Sequence, residues 1–465
     1  MVTMPPPPNA QRRAQRTIGN ASPNPVSNPV IEYLPDILFG AILVFMSWSS
    51  SSFGLGPASA LGWLGCAALL IALRRNDIIP AFTKWWPILL VPLMCFLSFF
   101  WSELPSVSFR YGLQLFLTAV LGVFIATTLS PKRFAVATFV GMFAFCTLSI
   151  INGRQGISAE GWVLIGLTGS KNSMAFCAYN LVASSMAILF LPGIMKQMRI
   201  LGVVGALIGI YIVSQASSAT ATIITILACA LFVAMCIMQR FSPAGRIAFI
   251  IFIVVIFTPL LFIQKEINDF ILDFMVNTLH KDPTLTGRTY LWERADDLIS
   301  RKPWLGHGFQ AFWLGDTSDT IGILRWSGQS DGRVFNFHNT YRQIGVDIGL
   351  VGMGLLILTF ASALIMGLQR FIMTPNVASS FAFTFLLVAI SKSFTELIIA
   401  AFSSQTVVLY ATLVYAFAKP AADAFETNTA REARPAAPPP QRMPSYNLST
   451  SRLPGVQQGP TTTRR

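Results

Sequence analysis

Charge is scarce in this 465-residue chain: Asp, Glu, Lys and Arg together make up 11% of it, whereas soluble globular domains carry about a quarter. With a mean hydropathy of +0.60, that shortage excludes a cytosolic enzyme, a secreted domain and a wholly disordered protein. Histidine is scarcer still, at three residues, and no two have metal-ligand spacing. The six cysteines, Cys66, Cys95, Cys146, Cys177, Cys229 and Cys236, all lie inside apolar runs without a CxxC pair. They imply neither a disulfide frame nor a metal site. There is no GxxxxGK[ST] loop, no GxGxxG after a strand, no HExxH and no nucleophile elbow. Nucleotide use therefore has no motif behind it.

Long apolar runs are what the chain does have. They centre on 37–53, 57–73, 85–101, 111–129, 134–151, 173–193, 199–214, 218–238, 247–264, 345–367, 376–395 and 400–418. A membrane-crossing helix needs about 20 such residues, so twelve spans are expected, the pair around 214–218 having almost no loop between them. Arg74, Arg75, Lys84, Lys132, Arg133, Lys196, Arg199, Arg240, Arg246 and Arg370 all fall on one side of this arrangement. The positive-inside rule makes that side cytoplasmic and puts both termini there. The tails, 1–35 and 420–465, hold 16 of the 28 prolines and read as disordered cytoplasmic segments. Their basic residues account for part of the net charge of +13 without calling for nucleic acid. No apolar run precedes Ile37, the wrong order for a cleavable signal, so the first span is expected to serve for insertion.

The expected organisation is thus a tail over 1–35, nine spans over 36–264, an outer loop over 265–343, three spans over 344–419 and a tail over 420–465. That loop carries 19 of the 53 charges and all three histidines. Loops of such length are uncommon without function, and a small folded cap is expected. Within it, Leu291, Ala295, Leu298 and Ile299 have helical spacing. Pro303 should end that helix, and Gly306 and Gly308 should turn the chain.

Cations on the outer side run against the topogenic rule, and they are the residues that suggest chemistry. Arg110, Arg154, Lys171, Arg288, Arg294 and Arg342 lie there. Arginine forks match phosphate oxygens and lysine acts as a point charge, so an anionic ligand such as a lipid diphosphate is a reasonable inference. Pairing with the acids of the loop is the alternative for each residue. His338 stands one turn before a span. If that turn is helical, Arg342 shares its face at i+4, and a neutral imidazole there can accept a proton from a hydroxyl. His307, between two glycines, reads as a turn residue, and His280 has no context. Lys392 and Glu396, at i and i+4 at the edge of a span, favour a different class, an ion-coupled transporter. No inverted repeat accompanies them.

The order Arg288-x3-Trp292, KPWLGHGF over 302–309 and HNTYRQIGVDIGLVG over 338–352 resembles the O-antigen polymerase and O-antigen ligase superfamily. WSELPSVSFR over 101–110 and GLTGSKN over 166–172 fit as well, and the likeness covers roughly residues 36 to 419. The nearest subgroup is the exopolysaccharide polymerases of the succinoglycan type. The resemblance implies an all-α polytopic glycosyltransferase of the C-type in the bacterial inner membrane, with about twelve spans and one large, mostly helical periplasmic loop. It implies transfer of a glycan from undecaprenyl diphosphate to an acceptor hydroxyl, with no cofactor and no metal. Matched by residue, His338 would be the base and Arg288 the diphosphate cation. Arg110, Lys171, Asn172, Trp292, Asn339 and Arg342 would bind substrate. Asp347 falls where an acidic residue precedes the Gly-x-x-Gly of the next span. Trp292, Trp304 and Trp313 could stack on sugars, although anchoring at the interface explains tryptophans equally well. The partners would be the lipid-linked oligosaccharide, the acceptor glycan, and a chain-length regulator and flippase of the same pathway. A ligase acting on a lipid or protein acceptor shares the donor chemistry, and a transporter is the second alternative.

Overall fold

Each of the twelve apolar runs contains a helix among the described residues, and capping chemistry sets several of the element boundaries. The structure, a computed structural model, describes residues 29–49, 56–158, 161–258, 287–328 and 335–418. Residues 1–28 of the first tail, the whole of the second, His280 and part of the expected outer loop lie outside the described residues, while residues 29–35, expected to be disordered tail, are helical. The helices are α1 (Pro29–Ser49), α2 (Gly56–Leu73), α3 (Ile78–Trp85), α4 (Leu90–Leu97), α5 (Pro105–Thr128), α6 (Pro131–Asn152), α7 (Lys171–Phe190), α8 (Lys196–Gln215), α9 (Ala219–Met238), α10 (Pro243–Phe257), α11 (Arg288–Arg301), α12 (Ala311–Leu314), α13 (Ser318–Trp326), α14 (Thr340–Met373), α15 (Val377–Ser393) and α16 (Ser404–Phe417). Among the described residues, eight helical segments are long and apolar enough to cross a membrane, and α10, α15 and α16 are shorter apolar helices. The chain is an all-α polytopic membrane protein.

Local sequence explains the breaks. Helix α6 starts where the Ser130 hydroxyl accepts from the Arg133 N–H, with Pro131 in the first turn, and stops at left-handed Gly153. Ser242 and Asn376 cap α10 and α15 in the same way. The third span, Arg75–Phe100, is built from α3 and α4. They are joined through a 3-10 turn that contains Pro87, whose missing N–H removes a helical bond. Helices α8 and α9, with almost no loop between their runs, part at Ser217 (φ 47°) and at the Ser218 cap.

Helix α7 is the most buried span and packs against α6, α8, α9 and α15, while α16 lies against α5. Helix α10 leaves Ile251 through Ile256 exposed, an apolar surface suited to lipid. The helices α11, α12 and α13 enclose a second core of Leu291, Ala295, Leu298, Phe312, Trp313, Ile323, Leu324, Phe337 and Val346. The helical spacing read from 288–300 is thus realised: Leu291, Ala295 and Leu298 are buried and Ile299 packs against them. One element had no precedent in the sequence reading. Gln155–Ser158 pairs antiparallel with Gly161–Leu164, Ile157 opposite Trp162. Four-residue strands are too short to leave a clear period-2 signal.

Helix α14 is broken inside. Ile348 (φ −133°, ψ 19°) and Gly349 (φ 70°, ψ −172°) leave helical geometry, which frees backbone groups that would be costly to bury unpaired. The segment 303–308 takes them up. Leu350 N–H donates to the Pro303 carbonyl at 2.7 Å, His307 N–H to that of Val346 at 2.9 Å, and Gly308 N–H to that of Asp347 at 2.9 Å. The Asp347 carboxylate, fully buried, accepts from Gln310 N–H at 3.1 Å and the Gln343 amide at 3.0 Å. From the other side, Trp101 Nε1–H donates to the Leu305 carbonyl at 2.7 Å and Ser108 Oγ–H to that of Phe309 at 2.9 Å. Three of the pieces that carry the family resemblance therefore meet in one bracket. A Cβ at Gly349 would lie 2.2 Å from the Trp304 carbonyl oxygen, on a residue already at positive φ. Gly349→Ala should cost about 3 kcal/mol or more and lower the thermal midpoint of the detergent-solubilised protein. An unchanged midpoint would contradict this account of the break.

Candidate active site

Helix α15 ends at Ser393 and α16 begins at Ser404, and the irregular chain between them is tied to the start of α14. Asn339 Nδ2 donates to the Phe394 carbonyl at 2.9 Å, and the Thr340 hydroxyl donates to that of Glu396 at 2.7 Å. Those two bonds bring Glu396 beneath His338. His338 Nδ1 lies 3.1 Å from Glu396 Oε2, and an Arg288 Nη2–H donates to Glu396 Oε1 at 2.8 Å. Residues far apart in sequence thus share one carboxylate. Arg288 is the first residue of α11, whose cap, Gly287, provides no side-chain partner for the helix N-terminus.

The protonation state follows from the contacts. Burial by itself would raise the Glu396 carboxyl. The hydrogen bond from His338, with the charges of His338, Arg288 and Lys392, outweighs it and holds the group below the usual carboxylate range. An ionised carboxylate only accepts, so His338 Nδ1 donates to it, and in the neutral form of the ring the lone pair then stands on Nε2. Backbone geometry fixes the ring as well. His338 sits at φ 49°, uncommon for a side-chain-bearing residue, and its N–H donates to Asn336 Oδ1 at 2.8 Å.

His338 lines a cleft of about 240 Å³ with Asn172, Tyr179, Asn336, Lys392, Glu396 and Gln405. Lys392 Nζ is 3.5 Å from Gln405 Oε1 and 4.4 Å from the centre of the Phe176 ring. The cleft therefore holds a cation, a carboxylate-oriented imidazole and neutral hydrogen-bonding groups. That set can bind an anion and remove a proton from a hydroxyl beside it.

The sequence-derived residues divide sharply against this geometry. His338 and Asn172 line the cleft, and Arg288 reaches Glu396. Lys171, half-buried at the head of α7, does not line it, although its neighbour does. Arg110 lies exposed near the start of α5 with Tyr111 at 5.6 Å and does not line the cleft. Arg342 does not share a helical face with His338, because α14 starts only at Thr340. Its guanidinium takes both oxygens of Asp296, at 2.8 and 3.0 Å, and lies 5.0 Å over the Trp292 ring. Trp292 Nε1–H donates to the Phe337 carbonyl at 3.0 Å, bracing the residue before His338. The Asn339 side chain caps α14 at the Arg342 N–H and donates to the Phe394 carbonyl. Trp313 is buried and donates to Gln343 at 3.1 Å, while Trp304 is exposed. His307, read as a turn residue, is buried in its turn with Nδ1 2.9 Å from Glu103 Oε1. Arg110, Lys171 and Arg342 thus do not line the cleft that holds His338.

Lys392 and Glu396 stood out in the sequence as charges at the edge of a span, but in favour of an ion-coupled transporter. Both line the cleft, and the Glu396 oxygens go to Arg288 and His338. Gln405 and Tyr179 gave no signal, because a lone amide or phenol in an apolar run has no motif. Asn336 could have been noticed two residues before His338.

Residues 202–357 match the family described as O-Antigen ligase. The chain is also 25% identical over 346 residues to the exopolysaccharide production protein ExoQ of Rhizobium meliloti (strain 1021), a match spanning 71% of this chain and 75% of the relative. Both likenesses, together with the helical membrane architecture, support the resemblance to the O-antigen polymerase and ligase superfamily.

Proposed function

We propose that the protein is a glycosyltransferase that polymerises lipid-diphosphate-linked oligosaccharide units into exopolysaccharide at the periplasmic face of the bacterial inner membrane. The observation that carries this reading is the Arg288–Glu396–His338 cluster at a cleft that also holds Lys392. An acceptor sugar hydroxyl is a poor nucleophile, and His338 Nε2 takes its proton as its oxygen bonds to the anomeric carbon of the donor. The bond from that carbon to the diphosphate breaks in the same displacement, inverting the centre, because no carboxylate nucleophile takes part. Negative charge grows on the leaving diphosphate, where Lys392 and the remaining donors of Arg288 stabilise it. The undecaprenyl diphosphate carrier follows from the family resemblance. The name of the Rhizobium relative favours exopolysaccharide as the product.

The glycan pool of a deletion strain tests the reading. Accumulation of a single lipid-linked repeat is the expected result, and accumulation of lipid-linked long polymer would make the protein a ligase. Unchanged pools with glycan transport abolished would favour a transporter instead.

The same reading puts α11 to α13 outside the membrane and both termini inside. A cysteine placed at Ser318, exposed at the start of α13, should react with an impermeant maleimide in intact spheroplasts, above the wild-type background. Labelling only after permeabilisation would reverse the topology.

A further inference from the structure

A second chamber, of about 410 Å³, adjoins the cleft and shares Ser173, Phe176, Asn336, Leu397 and Gln405 with it. That volume is within the range of small-molecule sites. The two differ in charge. His338, Lys392 and Glu396 line the first, whereas no Asp, Glu, Lys, Arg or His lines the second among the described residues. Its polar groups are hydroxyls and amides, including Ser404 and Gln405, set among aromatic rings.

Trp63 lines this chamber from α2. The residue is 4% exposed, and its Nε1–H has no hydrogen-bond partner among the described residues. Its ring lies 4.9 Å from that of Phe402, centre to centre, tilted by 56°. An indole N–H buried without an acceptor carries a free-energy penalty that a ligand oxygen would remove. A hydrocarbon chain would leave that donor without a partner. A charged sugar would enter without a counter-charge.

We propose that the second chamber is a subsite for an uncharged glycosyl unit, a hexose or N-acetylhexosamine, with the Trp63 N–H as a donor to one of its oxygens. The shared wall puts such a unit beside His338, where one end can reach the cleft while the ring stays in the neutral chamber. The proposal rests on the transferase reading above for the sugar's role. It separates the two chambers by ligand: anion in one, neutral carbohydrate in the other.

Calorimetry on the purified full chain in detergent tests it with two probes: sodium pyrophosphate, and the free oligosaccharide released by mild acid from the strain's own lipid-linked repeat. Trp63→Phe keeps a six-membered aromatic ring and removes the N–H with the five-membered ring that carries it. It should weaken oligosaccharide binding about 5- to 10-fold, the effect of one hydrogen bond, and leave pyrophosphate binding unchanged. Ala60→Phe, which adds a ring to the chamber wall, should abolish oligosaccharide binding and spare pyrophosphate. Wild-type oligosaccharide affinity in both variants would overturn the subsite. So would no oligosaccharide binding by the wild type, or binding of a short isoprenol that Ala60→Phe alone removes. Failure of the wild type to bind pyrophosphate would count against the diphosphate reading instead; the oligosaccharide results decide the subsite by themselves.

Discussion

Replacing His338 with alanine is expected to lower glycan transfer by about 10²–10⁴-fold, the range for losing a positioned general base. The expectation rests on which nitrogen is free. Glu396 Oε2 occupies Nδ1 at 3.1 Å and, as an anion, requires a proton there, so only Nε2 can accept one from a substrate. Binding of the lipid-linked donor should change far less, because the cations of Lys392 and Arg288 remain. The variant should also stay folded. The His338 side chain is partly exposed to the cleft, and the chain around it is held by Asn336, Asn339 and Thr340. Transfer from purified lipid-linked repeat, with donor binding measured separately, is the assay. Near-normal transfer by His338→Ala would falsify the base assignment and leave the histidine a structural role.

Glu396→Gln should produce the second large effect, and through a different cause. The amide keeps the shape but loses the charge, and it no longer requires the proton on Nδ1. An imidazole released to the other tautomer presents an N–H where the lone pair is needed. A loss on the order of 10²-fold or more is expected, by analogy with the carboxylate that orients a catalytic histidine in serine proteases. Glu396 is a positioning residue here, so the defect should appear in kcat rather than in donor affinity, and Glu396→Asp should recover part of it.

Stability should follow as well. Arg288 and Glu396 side chains are each 15% exposed, and leaving the guanidinium without its anion should cost about 1–3 kcal/mol after allowance for solvent screening. The pH dependence has a definite sign. Because the folded carboxyl is held below its ordinary value, its contribution is complete above about pH 4.3, the unperturbed glutamate range, and is lost as pH falls through the lowered folded value. The stability gap between wild type and Glu396→Gln should therefore be constant near neutrality and close only in acid. A gap that closed between pH 6 and 8 would mean that some other group controls it.

What the sequence determined by itself is the material of the fold. Twelve apolar runs specify twelve helical segments, because a backbone in lipid has to satisfy its own hydrogen bonds. Serine, asparagine, proline and glycine at their ends mark where each starts or stops, as at Ser130, Pro131 and Gly153. Periodicity also identified the buried face of α11, since helical spacing is a local property. His338 was legible through the family resemblance and its place before a span.

Only the tertiary structure decided what the remaining polar residues do. Arg342, Asn339, Trp292 and Asp347 stand in the pieces that resemble the family, yet their hydrogen-bonding groups go to Asp296, Phe394, Phe337, Gln310 and Gln343. They build the support for the site. Glu396 is 58 residues from His338 and 108 from Arg288, and no spacing rule reaches across such separations. Whether a cation meets a substrate or a neighbouring acid depends on which side chains the folded helices bring within about 3 Å, and sequence order does not contain that distance.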